Sequence, residues 1–269
     1  HVLVLEADIS EYDKRELLHM SNIIRVAGNE LIAVMKKQYE QLLRTKRYRH
    51  LQDMYAKAKK AKDKKQVSVI TAEMTEMQKS YYVTWEFCRK SMIEINQKYN
   101  INSIFALSKA EDVWQAVEKC LFSDGKTIHF KKYGDYPEIR AKQANRGIII
   151  SADDDGIRLK IGKTKLRPII NKPKHTKTRK GNTIQVQESH NIFAESEAEA
   201  VLNYISNPDV VDKTALDLYN KKGIIMDTFR PCFASISFKE IRGKMRVYMH
   251  ITIEGISKSK YNKDGTRRH

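Results

Sequence analysis

Glycine and proline are distributed unevenly along this 269-residue chain. Residues 1–121 contain one glycine, Gly28, and no proline, whereas residues 122–269 contain the other ten glycines and all five prolines. Both residue types interrupt helices and occupy turns. The first part of the chain is therefore predicted to be helical and the second part to consist of strands and turns, which corresponds to an α+β fold class.

Apolar residues in the first part recur at helical spacing. They predict two long helices that pack as an antiparallel pair, followed by a shorter third helix. The first helix carries Leu17, Ile24, Leu31, Met35 and Leu42, the second carries Met74, Met77, Tyr81, Cys88, Met92, Ile95 and Tyr99, and the third carries Val113, Val117, Cys120 and Leu121. Residues 2–5 are predicted to be a strand, so the helical bundle is expected to be inserted after the first strand of an antiparallel sheet or barrel.

Short alternating segments in the second part predict strands. Residues 128–132, 147–152 and 157–162 are rich in β-branched residues, and residues 153–156, DDDG, have the composition of a hairpin turn. A helix near residues 196–221 is predicted from the capping-box spacing of Ser196 and Glu199. A second hairpin is predicted to turn at Arg242 and Gly243 and to bury Ile236, Phe238, Met245, Val247, Met249, Ile251 and Ile253.

The charge of the chain narrows the class of its partner. A formal net charge of +17 and a pI near 9.6 attract polyanions, of which nucleic acid is the first candidate and a membrane surface the second. No apolar run approaches the roughly 18 residues that span a bilayer, and no cleavable signal opens the chain. The three cysteines are far apart and odd in number, which predicts buried thiols in a reducing, cytoplasmic compartment.

One basic run stands between the first two predicted helices. Residues 44–65 contain ten Lys or Arg and two Asp. Taken alone, such a run is predicted to be a solvated helix end and linker. In a chain that is already this basic, contact with phosphates is the alternative.

The motifs of catalysis and metal binding are not found. Gly162-Lys163-Thr164 resembles the end of a phosphate-binding loop, but Ile157 stands where that motif requires its first glycine. The acidic triplet at residues 153–155 precedes a glycine, where aspartates occur for backbone reasons more often than for metal binding. The eight histidines lack metal-ligand spacing, and no serine or cysteine lies in a nucleophile motif. No catalytic site, metal site or cofactor is expected in this chain.

Three stretches resemble one known family. Residues 113–150 (VWQAVEKCLFSDGKTIHFKKYGDYPEIRAKQANRGIII), 157–171 (IRLKIGKTKLRPIIN) and 237–255 (SFKEIRGKMRVYMHITIEG) are similar to the N-terminal half of a transposon TnpB protein or a related type V CRISPR effector. In that family a helical recognition lobe interrupts a wedge β-barrel after its first strand. The resemblance implies a first barrel strand at residues 1–11, a recognition lobe at 12–123, a wedge barrel at 124–256 that includes the helix near 196–221, and a basic tail at 257–269.

The resemblance implies an RNA-guided DNA-recognition module. Its barrel and lobe would bind a guide RNA scaffold and the guide–target heteroduplex and would read a target-adjacent duplex motif. Lysines and arginines would contact phosphates, exposed tyrosines would stack on unpaired bases, and Phe130 is assigned to the core. The target-adjacent motif would be contacted by Ser108 and Lys109. The residues expected to bind nucleic acid, including those of a loop at 172–181, are Lys131, Lys132, Tyr133, Tyr136, Arg140, Lys142, Arg146, Lys160, Lys163, Lys165, Arg167, Lys172, Lys174, Lys177, Arg179, Lys180, Arg242 and Lys244.

The family continues with a RuvC-like nuclease domain that opens on a Gly-Ile-Asp-x-Gly strand. The similar residues 253–255, IEG, align instead with the last barrel strand, so Glu254 is not expected to be catalytic. Because the chain stops at His269, it is expected to be a fragment, half of a split protein or a shortened relative, and not an enzyme by itself. Mg²⁺ is expected only with a RuvC-like domain, carried by a second chain or a C-terminal domain.

The expected partners are therefore a guide RNA and target DNA in a prokaryotic cytosol or nucleoid, and not a membrane. The alternative is a free-standing basic RNA- or DNA-binding protein, such as a nuclease-lacking guide-dependent repressor or an RNA chaperone.

Overall fold

A computed structural model of the chain describes residues 2–122, 125, 127–143, 145–153, 156–169, 175–179, 182–186, 201 and 228–256. These residues form an α+β structure, as the distribution of glycine and proline predicted. In chain order its elements are β1 (Val2–Asp8), α1 (Glu11–Arg44), α2 (Lys46–Lys60), α3 (Lys64–Ser80), α4 (Trp85–Tyr99), α5 (Ser103–Phe122), β2 (Ile139–Arg140), β3 (Ile148–Asp153), β4 (Gly156–Ile161), β5 (Thr164–Pro168), β6 (His175–Arg179), β7 (Asn182–Val186), β8 (Thr228–Ile241) and β9 (Lys244–Ile256).

The chain divides into two compact units. A sheet unit comprises residues 1–19 and 136–269, and a helical unit comprises residues 20–135. Helix α1 begins in the sheet unit, where the Ser10 hydroxyl accepts a hydrogen bond from the Asp13 backbone N–H at 3.0 Å and so satisfies one of the free donors of the first turn. None of the described helices is both long enough and apolar enough to cross a membrane.

The helical unit has a core of aliphatic and sulfur-containing side chains. On α1, Ile24, Leu31, Met35 and Leu42 are at most 1% exposed, as their spacing predicted. Helices α2 and α3 pack together, as do α4 and α5. The fully buried Cys88 lies on α4, and burial raises the pKa of its thiol to about 12, which keeps the thiol neutral at physiological pH.

The prediction of one long second helix is wrong, because two helices replace it. The break lies at residues 81–84, where Tyr82 has a φ of 57° that an α-helix cannot accommodate. Thr84 then caps α4, since its side-chain oxygen accepts a hydrogen bond from the Phe87 N–H at 3.2 Å.

The basic run at residues 44–65 is also more ordered than predicted. Most of it forms α2, which packs against α3 and buries Tyr48, Leu51 and Ala58. The Tyr48 hydroxyl accepts a hydrogen bond from Gln78 Nε2 at 2.9 Å, and burial raises the pKa of Tyr48 to about 12. The basic side chains occupy the solvent-facing positions of a packed helix rather than a linker.

The sheet unit contains a seven-stranded antiparallel sheet in the order β2-β8-β9-β1-β5-β4-β3. Strand β1 pairs with both β9 and β5, so the N-terminal strand lies in the middle of the sheet. Strand β3 also approaches β8, which curls the sheet towards a nearly closed barrel. Its core consists of the inward side chains of alternate positions, including Leu3, Leu5, Ile148, Leu159, Leu166, Ile236 and Met249.

Both predicted hairpins are present. Asp153 pairs with Gly156 between β3 and β4, and Arg242 and Gly243, both with positive φ, form the turn between β8 and β9. The inward face of β9 carries the buried Val247, Met249, Ile251 and Ile253, as predicted. Phe238 and Met245, which were also predicted to be buried, are half-buried near the turn.

Two predictions on the second part of the chain are wrong, and a third concerns residues that the structure does not describe. Residues 128–132, predicted to be a strand, form no strand, and residues 175–179 of the predicted loop at 172–181 form β6, which pairs with β7. The predicted helix near 196–221 lies outside the described residues apart from Val201.

Candidate nucleic-acid interface

Strands β4 and β5 present lysines on the face of the sheet opposite the core. Leu159, Ile161 and Leu166 point inward and are at most 2% exposed. Because side chains alternate along a strand, the intervening Lys160 and Lys165 point to the other face, where they are exposed. The register places Lys160 directly opposite Lys165.

The turn between β4 and β5 extends this cluster. Gly162, with a φ of 57°, and the exposed Lys163 form the turn. We call Lys160, Lys163 and Lys165 the sheet-lysine cluster. Within the part of the chain that the structure describes, no carboxylate forms an ion pair with any of the three. On the same sheet Arg246 donates to both carboxylate oxygens of Glu6 at 3.0 Å, so among the described residues charge compensation is present at that position and absent from the cluster.

Neighbouring positions extend the basic face. Arg167 on β5 is exposed and lies opposite Asp8 of β1, and the half-buried Arg158 on β4 lies opposite Ser151. Ile149, 42% exposed, lies opposite Lys160 on β3. The face therefore places the three lysines of the cluster and two arginines beside an apolar side chain, a combination that suits a phosphate backbone with its sugars.

Other predicted residues of the sheet unit are distributed around it. Lys142 and Arg146 are exposed between β2 and β3, and Arg242 and Lys244 are exposed at the β8–β9 turn. Arg140 is half-buried on β2, opposite Ser235.

Tyr136, predicted to stack on bases, is half-buried and packs with its ring centroid 6.0 Å from that of Phe238. That contact occupies part of its ring.

Lys131, Lys132 and Tyr133 belong to the helical unit, in an irregular segment, residues 127–135, that we call the tethered segment. All three are exposed, and Tyr133 is 87% exposed. Asn29 on α1 holds the segment through two hydrogen bonds: its Nδ2 donates to the Lys131 carbonyl at 2.8 Å, and its Oδ1 accepts from the Lys131 N–H at 2.9 Å.

The assignment of Phe130 to the core is wrong, since its side chain is 48% exposed. The strand alternation that would have turned it inward does not exist, because the tethered segment is bonded to α1 rather than to another strand. Lys36 on α1 places its Nζ 5.6 Å from the centroid of the Phe130 ring.

Ser108 and Lys109, assigned to the target-adjacent motif, are 5% and 7% exposed. The aliphatic part of Lys109 lies over Gly28, and its Nζ is 3.8 Å from an Asp112 carboxylate oxygen. In this conformation both side chains are packed within the helical unit, which leaves little of them for contact with DNA.

The other five predicted residues lie in the stretch at 172–180. Lys172, Lys174 and Lys180 lie outside the described residues, as do Asp154 and Asp155 of the acidic triplet. Lys177 and Arg179 have backbone positions in β6.

One polar group on the sheet was missed by sequence reasoning. Ser237 Oγ lies 2.6 Å from His250 Nε2, and Ser235 donates to Glu138. These contacts join residues of β8, β9 and the chain before β2, which are distant in sequence, so no local motif predicts them. Within the described part of the chain, no three His, Cys, Asp or Glu side chains are grouped as a metal site would require.

No protein-family model matches the chain, and no curated protein matches it.

Proposed function

We propose that the chain is an RNA-guided DNA-recognition module that binds nucleic acid and does not cut it. In this proposal the sheet unit is the wedge-type barrel of a TnpB-like or type V effector, and the helices that follow β1 are its recognition lobe. Guide RNA and target DNA are its partners, and Mg²⁺ chemistry belongs to a RuvC-like domain in another part of the assembly.

The observation that carries the proposal is the sheet-lysine cluster. Like charges directly opposite each other on an antiparallel pair reduce the stability of the sheet. Lys160 and Lys165 occupy such a pair, Lys163 lies in the adjoining turn, and no described carboxylate compensates them. An anionic ligand removes this repulsion when it binds, so the cluster suits a polyanion better than an empty surface.

The shape of the site favours recognition of a nucleic-acid backbone over recognition of a small anion. The cluster lies on the face of β4 and β5 opposite the core, and the exposed Arg167 continues it along β5. A linear array of cations on an open face fits a row of phosphates, whereas a single phosphate requires a concave site with converging donors. Guide-based recognition then depends on base pairing within the nucleic acid, while the protein reads backbone shape.

Binding to a folded RNA tests this proposal. We expect the chain to bind an RNA that contains hairpins and single-stranded junctions more tightly than a DNA duplex with the same number of phosphates, because shape adds to charge. The logarithm of the affinity should fall linearly with the logarithm of the salt concentration, with a loss of about one unit of slope per phosphate contact. Equal affinity for both ligands, or no dependence on salt, would contradict the proposal.

A matched pair of triple variants locates the binding face. Lys160→Glu, Lys163→Glu and Lys165→Glu together should reduce both the affinity and the salt slope. Lys57→Glu, Lys59→Glu and Lys60→Glu change the net charge by the same amount on the exposed end of α2. If the two triple variants weaken binding equally, only net charge matters and the sheet-lysine cluster has no special role.

Guide dependence separates the favoured function from a free-standing binder. RNA that copurifies with the chain would be sequenced, and DNA duplexes complementary to successive segments of it would be offered to the complex. An RNA-guided module binds one complementary duplex preferentially and loses that preference when the RNA is removed. A free-standing RNA- or DNA-binding protein shows no preference that follows complementarity.

A further inference from the structure

The tethered segment displays two large aromatic rings on a fixed backbone. Phe130 is 48% exposed and Tyr133 is 87% exposed. Single exposed aromatic residues are common on protein surfaces and need no function. This pair differs because the residue next to Phe130 is pinned to α1: Lys131 forms two hydrogen bonds with Asn29, and its carbonyl accepts a third from Arg25 Nη1 at 3.3 Å.

A tight turn fixes the position of Tyr133. The Asp135 N–H donates to the Lys132 carbonyl at 3.2 Å, and the Lys132 N–H donates to the Asp135 carboxylate at 2.9 Å. Tyr133 and Gly134 are the two central residues, and Gly134 has a φ of +87°, as the third residue of a type II turn requires. The tyrosine ring thus lies at the tip of a turn that two hydrogen bonds between Lys132 and Asp135 hold closed.

One cation of α1 lies near each ring. Arg25 places its guanidinium carbon 5.7 Å from the centroid of Tyr133, and Lys36 places its Nζ 5.6 Å from the centroid of Phe130. Lys131 and Lys132 are exposed between the two aromatic residues. Arg25 and Lys36 are eleven residues apart on one helix, about 16 Å along its axis, so the rings and cations form a strip along α1 rather than a single pocket.

We propose that this strip binds unpaired bases of a single-stranded nucleic acid, with Phe130 and Tyr133 as stacking platforms and Arg25, Lys36, Lys131 and Lys132 as phosphate contacts. The inference rests on the proposed function and adds the part of the ligand that this surface recognises. Stacking requires exposed π faces, and the adjacent cations favour an anionic strand over an apolar protein partner. Base pairs within a duplex are stacked on each other and do not offer their faces, so the ligand is a single strand.

The pinned backbone contributes to binding in a specific way. A ring that is held in place before binding loses less conformational freedom when a base stacks on it. Asn29 therefore acts as a positioning residue, because it holds Lys131 without contacting the bases itself.

The test compares strands that carry equal charge but different bases. An oligouridine RNA, an oligothymidine DNA and an abasic strand of the same length are titrated into the intact chain. We expect both base-bearing strands to bind more tightly than the abasic strand, because stacking contributes roughly a 5- to 150-fold gain for each base. Equal binding of the RNA and the DNA identifies the base as the recognised group, and tighter binding of the RNA adds its ribose hydroxyls to the recognised groups.

Variants assign the effect to the two rings. Phe130→Ala with Tyr133→Ala should remove most of the preference for base-bearing strands and leave the salt slope unchanged, since no charge is lost. Phe130→Tyr with Tyr133→Phe should preserve the preference. Tyr12→Ala removes another exposed aromatic side chain, 68% exposed, and should have no effect.

Two results would overturn the inference while leaving the proposed function intact. In the first, structured RNA binds as expected but the wild-type chain does not distinguish base-bearing from abasic strands. In the second, the double alanine variant behaves like Tyr12→Ala. If the wild-type chain binds neither strands nor structured RNA at low salt, the proposed function itself fails. Because the wild-type comparison needs no substitution, the test does not depend on the folding of a variant.

Discussion

Gly28, inside α1, packs closely against the side chain of Lys109. A Cβ atom added at Gly28 would lie 2.5 Å from Lys109 Cε and 3.2 Å from its Cγ. The lysine is 7% exposed and its Nζ is 3.8 Å from Asp112, so it has little room to move away. This contact gives a reason for a glycine inside α1, where glycine by itself reduces helix stability, because a larger residue at position 28 would meet Lys109.

Substitution of Gly28 by alanine should therefore reverse the usual effect of helix propensity. In an ordinary helix the change adds about 1 kcal/mol to stability, but here overpacking against Lys109 should reduce stability by about 1–3 kcal/mol. In a Lys109→Ala background the same substitution should become stabilising. Urea unfolding of the four chains of this double-mutant cycle measures the coupling, and additive effects would show that Gly28 and Lys109 do not constrain each other.

At the scale of elements, the β4–β5 hairpin has one face that stabilises the sheet through buried apolar side chains and one face where two lysines repel each other. Its two inward leucines and two inward isoleucines are buried, whereas its outward face places Lys160 opposite Lys165. Stability and ligand binding should therefore respond in opposite directions to one substitution on this face.

Lys165→Glu provides that substitution. It replaces a like-charge pair by an opposite-charge pair with Lys160, which should stabilise the chain by about 0.2–1 kcal/mol. It should also weaken RNA binding and reduce the salt slope by about one unit if one phosphate contact is lost. Thermal unfolding and salt titration measure the two effects. Lys57→Glu, on α2, carries the same change in charge and should produce neither; a loss of stability in Lys165→Glu would contradict the argument.

Elements with a continuous local signal were predictable from the sequence. The buried stripe of α1 and the alternation of the β8–β9 hairpin, including its turn at Arg242 and Gly243, repeat over several turns or residue pairs, so each is specified by many side chains at once. The α3–α4 break was missed because it contains no glycine or proline. Thr84, the capping residue of α4, is the local signal that could have indicated it.

The rest depends on contacts that are distant in sequence. Helix α2 buries only Tyr48, Leu51 and Ala58 within a run of cations, so its amphipathic pattern is hidden by charge. The tethered segment alternates like a strand, but Asn29, about 100 residues earlier, bonds its backbone instead. The same limit applies to the candidate site: the exposure of Lys160 and Lys165 follows from alternation, whereas their position opposite each other follows from the register.

At the scale of the whole molecule, the net charge of +17 makes some affinity for any polyanion unavoidable. The structure divides this charge between surfaces of different character. The exposed end of α2 carries lysines on a helix, the sheet-lysine cluster carries them on paired strands, and the strip along α1 combines them with aromatic rings. A protein that binds nucleic acid by charge alone would use all three surfaces equally.

The central claim is that the sheet-lysine cluster contacts the nucleic acid, and acetylation of individual lysines tests it most directly. The extent of acetylation at each lysine is measured by mass spectrometry with and without bound structured RNA. The measurement uses the unaltered chain and reports each lysine separately. We expect RNA to protect Lys160, Lys163 and Lys165 strongly, while Lys57, Lys59 and Lys60 on α2 react as they do in the free chain. Equal protection of both groups, or unprotected lysines on the sheet while the RNA is bound, would contradict the claim that this face holds the nucleic acid.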